Sequence, residues 1–195
     1  MAFLLTILKP IEWFNDWAGR IGRNLSVAAI AIMVIVILLQ VFFRYVLNNA
    51  LPWPDEAARF MMLWLTGLMA PVALRQGGMV AITGVLELFP APAVRIISIL
   101  LLCVSLLVLV IAAQLGWKHV NSGWLFSSSS LRLPLSIIGM KSQKLKLAWM
   151  YMSLFVGVCL MISVNVELIL RSVLSLMGGD DRLRSVPGTK MAEPT

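Results

Sequence analysis

The sequence predicts an all-α integral membrane protein, with four transmembrane helices and an N-terminal interfacial amphipathic helix. The chain is 60% hydrophobic and only 13% charged, whereas a soluble domain is roughly 45–50% apolar and about 25% charged. Four apolar runs are each close to the roughly 20 residues that a helix needs to cross a hydrocarbon core about 30 Å thick. The charged residues collect at the junctions between those runs. In 195 residues this leaves no room for a second, soluble domain, so residues 1–177 are expected to form a single four-helix transmembrane domain.

The elements follow in order. In IEWFNDWAGRIGR, Ile11, Phe14, Ala18 and Ile21 recur at helical spacing while Glu12, Asp16, Arg20 and Arg23 occupy other faces. That pattern suits an interfacial helix over about residues 10–23. The short Met1–Leu8 run has neither a basic start nor a small-residue cleavage site, so the N-terminus is expected to be retained on the membrane. LSVAAIAIMVIVILLQVFF, whose polar side chains are Ser26 and Gln40, anchors a first span at about 25–47. The second span, about 55–75, is interrupted by Arg59, Gly67 and Pro71, and Pro71 is expected to kink it by removing a backbone donor. The third lies at about 94–117 and the fourth at about 146–171. Between them, the Ser127–Ser130 patch marks a long loop expected to be ordered only in part. Residues 178–195 mix Gly, Asp, Arg and Pro without periodicity and read as a disordered cytoplasmic tail.

The net charge of +7 is scattered through the junctions instead of forming one basic segment, which points to membrane lipid as a partner and not to nucleic acid. With four spans, the termini and the 75–95 loop share one side. That side carries nine basic residues against seven on the other, a bias that places both termini in the cytoplasm. KSQKLK, residues 141–146, runs against it by putting three lysines outside.

Several chemistries are excluded. His119 is the only histidine, so bis-histidine haem ligation within the chain is impossible, and its place beside Trp117 and Lys118 suits an interfacial cap. Cys103 and Cys159 each sit in an apolar run and read as packing residues. Without a phosphate-cradling loop, a nucleophile elbow or metal-ligand spacing, no enzyme is expected and no cofactor is assigned to this chain. Glu167 lies four residues before Arg171, so the two side chains can pair on one face of the fourth span. Spacing leaves open whether they form a structural interfacial pair or meet a partner or an ion path.

The densest polar cluster is FFRYVLNNALPWPDEAARFMMLW, residues 42–64. Pro54 suits a first helical turn, and Asp55 and Glu56 suit its positive dipole end. Both acids are spaced to pair with Arg59, at i,i+4 and i,i+3. Trp53 and Trp64 fit an aromatic belt. A helix cap accounts for all of these but leaves Arg44, with Tyr45 beside it, without a role.

At these residues the chain resembles the small membrane subunit of tripartite ATP-independent periplasmic (TRAP) transporters. The family has an aromatic-Arg-Tyr end to its first span, a polar stretch, a Trp and an acidic pair, then an Arg before an aromatic-rich second span. Arg44, Tyr45, Trp53, Asp55, Glu56 and Arg59 match in that order, and Arg75 and Gly77 match farther on. Met79 stands near the place of the family's His.

The resemblance implies a non-catalytic scaffold in the bacterial inner membrane. Its partners would be a large multi-span membrane subunit carrying the substrate and sodium sites and a periplasmic substrate-binding protein delivering an organic acid. Arg44, Tyr45, Trp53, Asp55, Glu56, Arg59 and Trp64 would serve contacts with those partners. The competing reading is an independent small oligomeric transporter or channel, which would need polar groups in the middle of several spans.

Overall fold

The structure, a computed structural model, describes residues 2–77, 91–133 and 143–177. The expected tail at 178–195, Met79 and Lys141 lie outside them. Among the described residues, helices α1 (Ala2–Tyr45), α2 (Pro54–Arg75) and α3 (Ala91–Gly123) are followed by a hairpin, β1 (Ser127–Leu133) and β2 (Gln143–Lys146), and then by α4 (Ala148–Leu176). Each helix is long and apolar enough to cross a membrane. The protein is an all-α integral membrane protein to which a two-stranded hairpin is added.

Residues 10–23 are helical, but they are continuous with the first span in the 44-residue α1. At 1.5 Å per residue such a helix is about 66 Å long, roughly twice the hydrocarbon core. It ends where Asn48 takes a left-handed φ of 50°, with Val46 N–H donating to Phe42 O at 2.9 Å and Asn49 N–H to Phe43 O at 3.0 Å. Asn is among the few residues that adopt that conformation at low cost.

The contacts of the chain divide into two compact units. One comprises Met1–Arg20, Ala70–Ala112 and Val158–Thr195. Its core includes Leu8, Leu102, Val164 and Leu174, and Asn165 is fully buried with its amide donating to Ser105 Oγ at 3.0 Å.

The second unit comprises Ile21–Met69 and Ala113–Gly157. Here α2 and α4 meet on glycine: a Cβ on Gly157 would lie 2.5 Å from the Gly67 carbonyl oxygen, and one on Gly67 would collide with the Ser153 carbonyl. Gly67, an interruption in the sequence pattern, is thus a contact point, as expected where helices in lipid associate by close backbone approach. Val27, Ile35, Leu38 and Leu115 face outward from this unit, the arrangement suited to a lipid solvent, which has no hydrophobic driving force to bury them.

The hairpin also belongs to this second unit. Ser127 pairs with Lys146 and Arg132 with Lys144, so β1 advances five residues where β2 advances two. The excess forms a bulge that takes the N–H groups of the serine run off the ladder.

Candidate functional site

The bulge finds its partner at the start of α2. Trp53 precedes the helix and its carbonyl accepts from Ala57 N–H at 3.0 Å, with Pro54 buried in the first turn. This fixes the direction of Glu56. Its carboxylate accepts N–H bonds from Ser129 at 3.3 Å, Ser130 at 2.8 Å and Leu131 at 3.1 Å, together with the Ser130 hydroxyl. The Leu131 N–H is shared with Ser128 Oγ at 2.9 Å. One side chain of α2 therefore holds the strand that opens the hairpin.

The expected pairing of Asp55 and Glu56 with Arg59 is corrected by this geometry. Among the described residues neither acid forms an ion pair with Arg59, and Asp55 and Arg59 are exposed. Converging amides that have left a β-ladder need an acceptor, whereas an exposed i,i+3 ion pair contributes only about 0.3–0.5 kcal/mol. The amides win. Arg44 is also exposed, its guanidinium 5.7 Å from the centre of the Tyr45 ring, within cation–π range. No hydrogen bond or ion pair joins Arg44 to Asp55, Glu56 or Arg59 among the described residues. Trp64 is half-buried, tilted against Phe60 at 6.3 Å, and its Nε1 has no hydrogen-bond partner among them.

The first unit holds the other polar constellation. The Glu167–Arg171 pair forms, with Nε to Oε1 at 3.0 Å, but Glu167 is completely buried and has further partners. Arg75, at the end of α2, places Nη2 and Nε at 2.9 and 3.2 Å from the same Oε1, and its Nη1 lies 2.5 Å from Asp16 Oδ1. Asn15 donates to Glu167 Oε2 at 2.7 Å and accepts from Ser163 Oγ at 2.8 Å. Arg171 reaches Glu12 Oε1 at 2.6 Å. Three carboxylates and two guanidiniums from α1, α2 and α4 thereby share one low-dielectric site, where each charge depends on its partners.

Sequence reasoning reached only Glu167 and Arg171. The helical spacing places Glu12 and Asp16 on the polar faces of an interfacial helix and says nothing of Asn15, yet Asp16 and Asn15 are buried while Trp13, Phe14 and Trp17 are exposed. The face is turned over around residues 13–17, while Arg20 and Arg23 are exposed as the spacing predicts. In lipid, the apolar side of a helix is the one that meets the solvent, and the polar side seeks other protein groups. The available signal was the spacing of Leu8, Glu12 and Asp16 on one stripe, read with lipid as the solvent. Among the described residues no cluster of His, Cys, Asp and Glu suited to a metal ion occurs.

Comparison with curated proteins gives no match to this chain. The family model of the tripartite ATP-independent periplasmic transporters, DctQ component, matches residues 33–175. That stretch runs from the last third of α1 to the last turn of α4, through the Glu56 clamp and both ends of the Arg75–Glu167 bridge, and it makes the chain a member of the DctQ family, the small membrane component of these tripartite transporters.

Proposed function

We propose that this subunit is a non-catalytic scaffold, a fixed frame beside the large multi-span membrane subunit of the transporter. On this reading the large subunit carries the substrate and sodium sites, and a periplasmic binding protein delivers an organic acid. Import across the bacterial inner membrane is driven by the sodium gradient. Both termini lie in the cytoplasm, and the 44–59 connection faces the periplasm. Arg44, Tyr45, Trp53, Asp55, Glu56, Arg59 and Trp64 stand at the end of the chain that meets the partners, with Glu56 acting through the hairpin it holds.

The observation that supports the reading is the use made of the buried charges. Glu12, Asp16, Arg75, Glu167 and Arg171 are bonded to one another across three helices, which tightens a frame. A conducting or transporting path requires polar groups that exchange partners with a passing ion.

Sealed vesicles carrying an imposed sodium gradient test the reading. With all three components present, saturable uptake of an organic acid is expected; with this chain alone, none. Saturable, sodium-dependent uptake by the chain alone would overturn it and establish an independent small transporter.

A further inference from the structure

The hairpin carries a second feature that its clamp does not explain. Along β2, Lys144 and Lys146 are exposed while Leu145 between them is buried, so the strand alternation puts both ammonium groups on one face. Lys146 pairs across the ladder with Ser127, immediately after Trp124, Leu125 and Phe126, whose exposures are 46%, 82% and 61%. Lys118 and His119, near the end of α3, are exposed as well. Residues 113–157 contain five Lys and Arg and no acid.

The depth of this patch follows from what roots it. Gly123 ends α3 four residues before β1, and Ala148 begins α4 two residues after Lys146. The rings at those helix ends pair as Trp117–Phe155 at 5.4 Å, His119–Tyr151 at 6.2 Å and Trp124–Trp149 at 6.4 Å. Such amphipathic rings settle at the level of lipid headgroups. Lysines on short tethers at that level, beside an exposed Leu-Phe pair, match the phosphates above and the acyl chains below. Glu56 keeps the face in register, because it holds the strand against which β2 pairs.

We infer that β2 and the Trp124–Phe126 segment that leads into β1 form a lipid-docking element, in which Lys144 and Lys146 bind the phosphate of acidic phospholipids while Leu125 and Phe126 enter the apolar edge of the leaflet. This accounts for Lys144 and Lys146, two of the KSQKLK lysines that oppose the charge bias of the loops, and it does not depend on the transporter reading.

The test uses the full chain in nanodiscs containing brominated phosphatidylglycerol or brominated phosphatidylcholine, read by quenching of tryptophan fluorescence. Wild type is expected to prefer phosphatidylglycerol about five-fold or more at low ionic strength, the scale set by basic residues near an anionic surface. Lys144→Gln with Lys146→Gln should bring the ratio to near one, and Lys144→Arg with Lys146→Arg should keep it. A preference unchanged in the double glutamine variant overturns the proposal. So does its loss on adding inorganic phosphate at constant ionic strength, which would make the site one for free anions. Failure of the glutamine variant to capture the other transporter components, with its lipid preference intact, would make the face a protein-docking surface and also overturn it.

Discussion

Arg75 and Glu167, 92 residues apart in sequence, meet through two guanidinium nitrogens on a single carboxylate oxygen, at 2.9 and 3.2 Å. The Arg75 side chain is 9% exposed and that of Glu167 not at all. Removing one partner of a buried pair leaves the other charge uncompensated, at a cost of about 3–5 kcal/mol. Arg75→Ala should therefore sharply lower the thermal unfolding temperature of the detergent-solubilised chain. Arg75→Ala combined with Asp16→Asn, which removes the negative charge that Arg75 balances, should recover part of the loss.

The glycine crossing of α2 and α4 gives a steric counterpart. Gly157→Leu cannot be accommodated without separating the helices, since even a Cβ would lie 2.5 Å from a backbone oxygen. Overpacking of this kind typically costs about 1–3 kcal/mol, and here the neighbour is backbone, which cannot change rotamer. Reduced yield of folded protein is expected in size-exclusion chromatography, with Gly157→Ala intermediate.

Glu56→Gln should loosen the hairpin without unfolding the bundle. Bonds to a charged acceptor contribute about 1.5–3 kcal/mol, and the amide substitute gives up that charge while retaining one carbonyl oxygen. Limited proteolysis at 127–146 should be several-fold faster than in wild type, while cleavage elsewhere stays unchanged.

Arg44 has no ion-pair partner among the described residues, so Arg44→Ala should leave membrane insertion near normal. If its charge is paired in a partly desolvated interface with another component, uptake by the whole complex should fall severely, since truncating such a partner costs about 2–5 kcal/mol. Trp53→Ala should reduce uptake less. Equal uptake at equal expression would show that Arg44 serves only its contact with Tyr45.

Sidedness is accessible to a membrane-impermeant thiol reagent, with Cys103 and Cys159 replaced by alanine. Cysteine at Asn49 should label in intact spheroplasts and cysteine at Thr189 only after lysis. The opposite pattern would invert the topology.

Much of the architecture was legible because a helix crossing lipid must be long and apolar, and that requirement is written locally. The four spans could be read for that reason. Among the polar residues, the Glu167–Arg171 pairing could be read from its spacing on one helix, but the long-range partners could not. Glu56 was expected to bond to Arg59, the nearest opposite charge along the chain, but its partners are main-chain N–H groups 73 to 75 residues away, and a bulge in a loop has no periodic signature. Arg75 looked like a loop cation because it ends a span, and nothing near it in sequence marks Asp16 or Glu167 as its counterions. Apolar periodicity shows which residues are compatible with lipid; it does not show which faces meet.

The long separation within the charge network bears on how the protein is made. Glu12 and Asn15 lie 159 and 152 residues before the groups they bond, Arg171 and Glu167, and a ribosome delivers roughly 5–20 residues per second. Asp16 can meet Arg75 once the second helix is made, but Glu12 waits for Arg171, which arrives only with the last. Completion of the last helix is thus the event that supplies Glu12 and Asn15 with their partners. A nascent chain halted before Glu167 lacks Arg171 as well and leaves Glu12 without the ion pair seen here, so chains truncated at that point should be degraded faster than those that include the last helix.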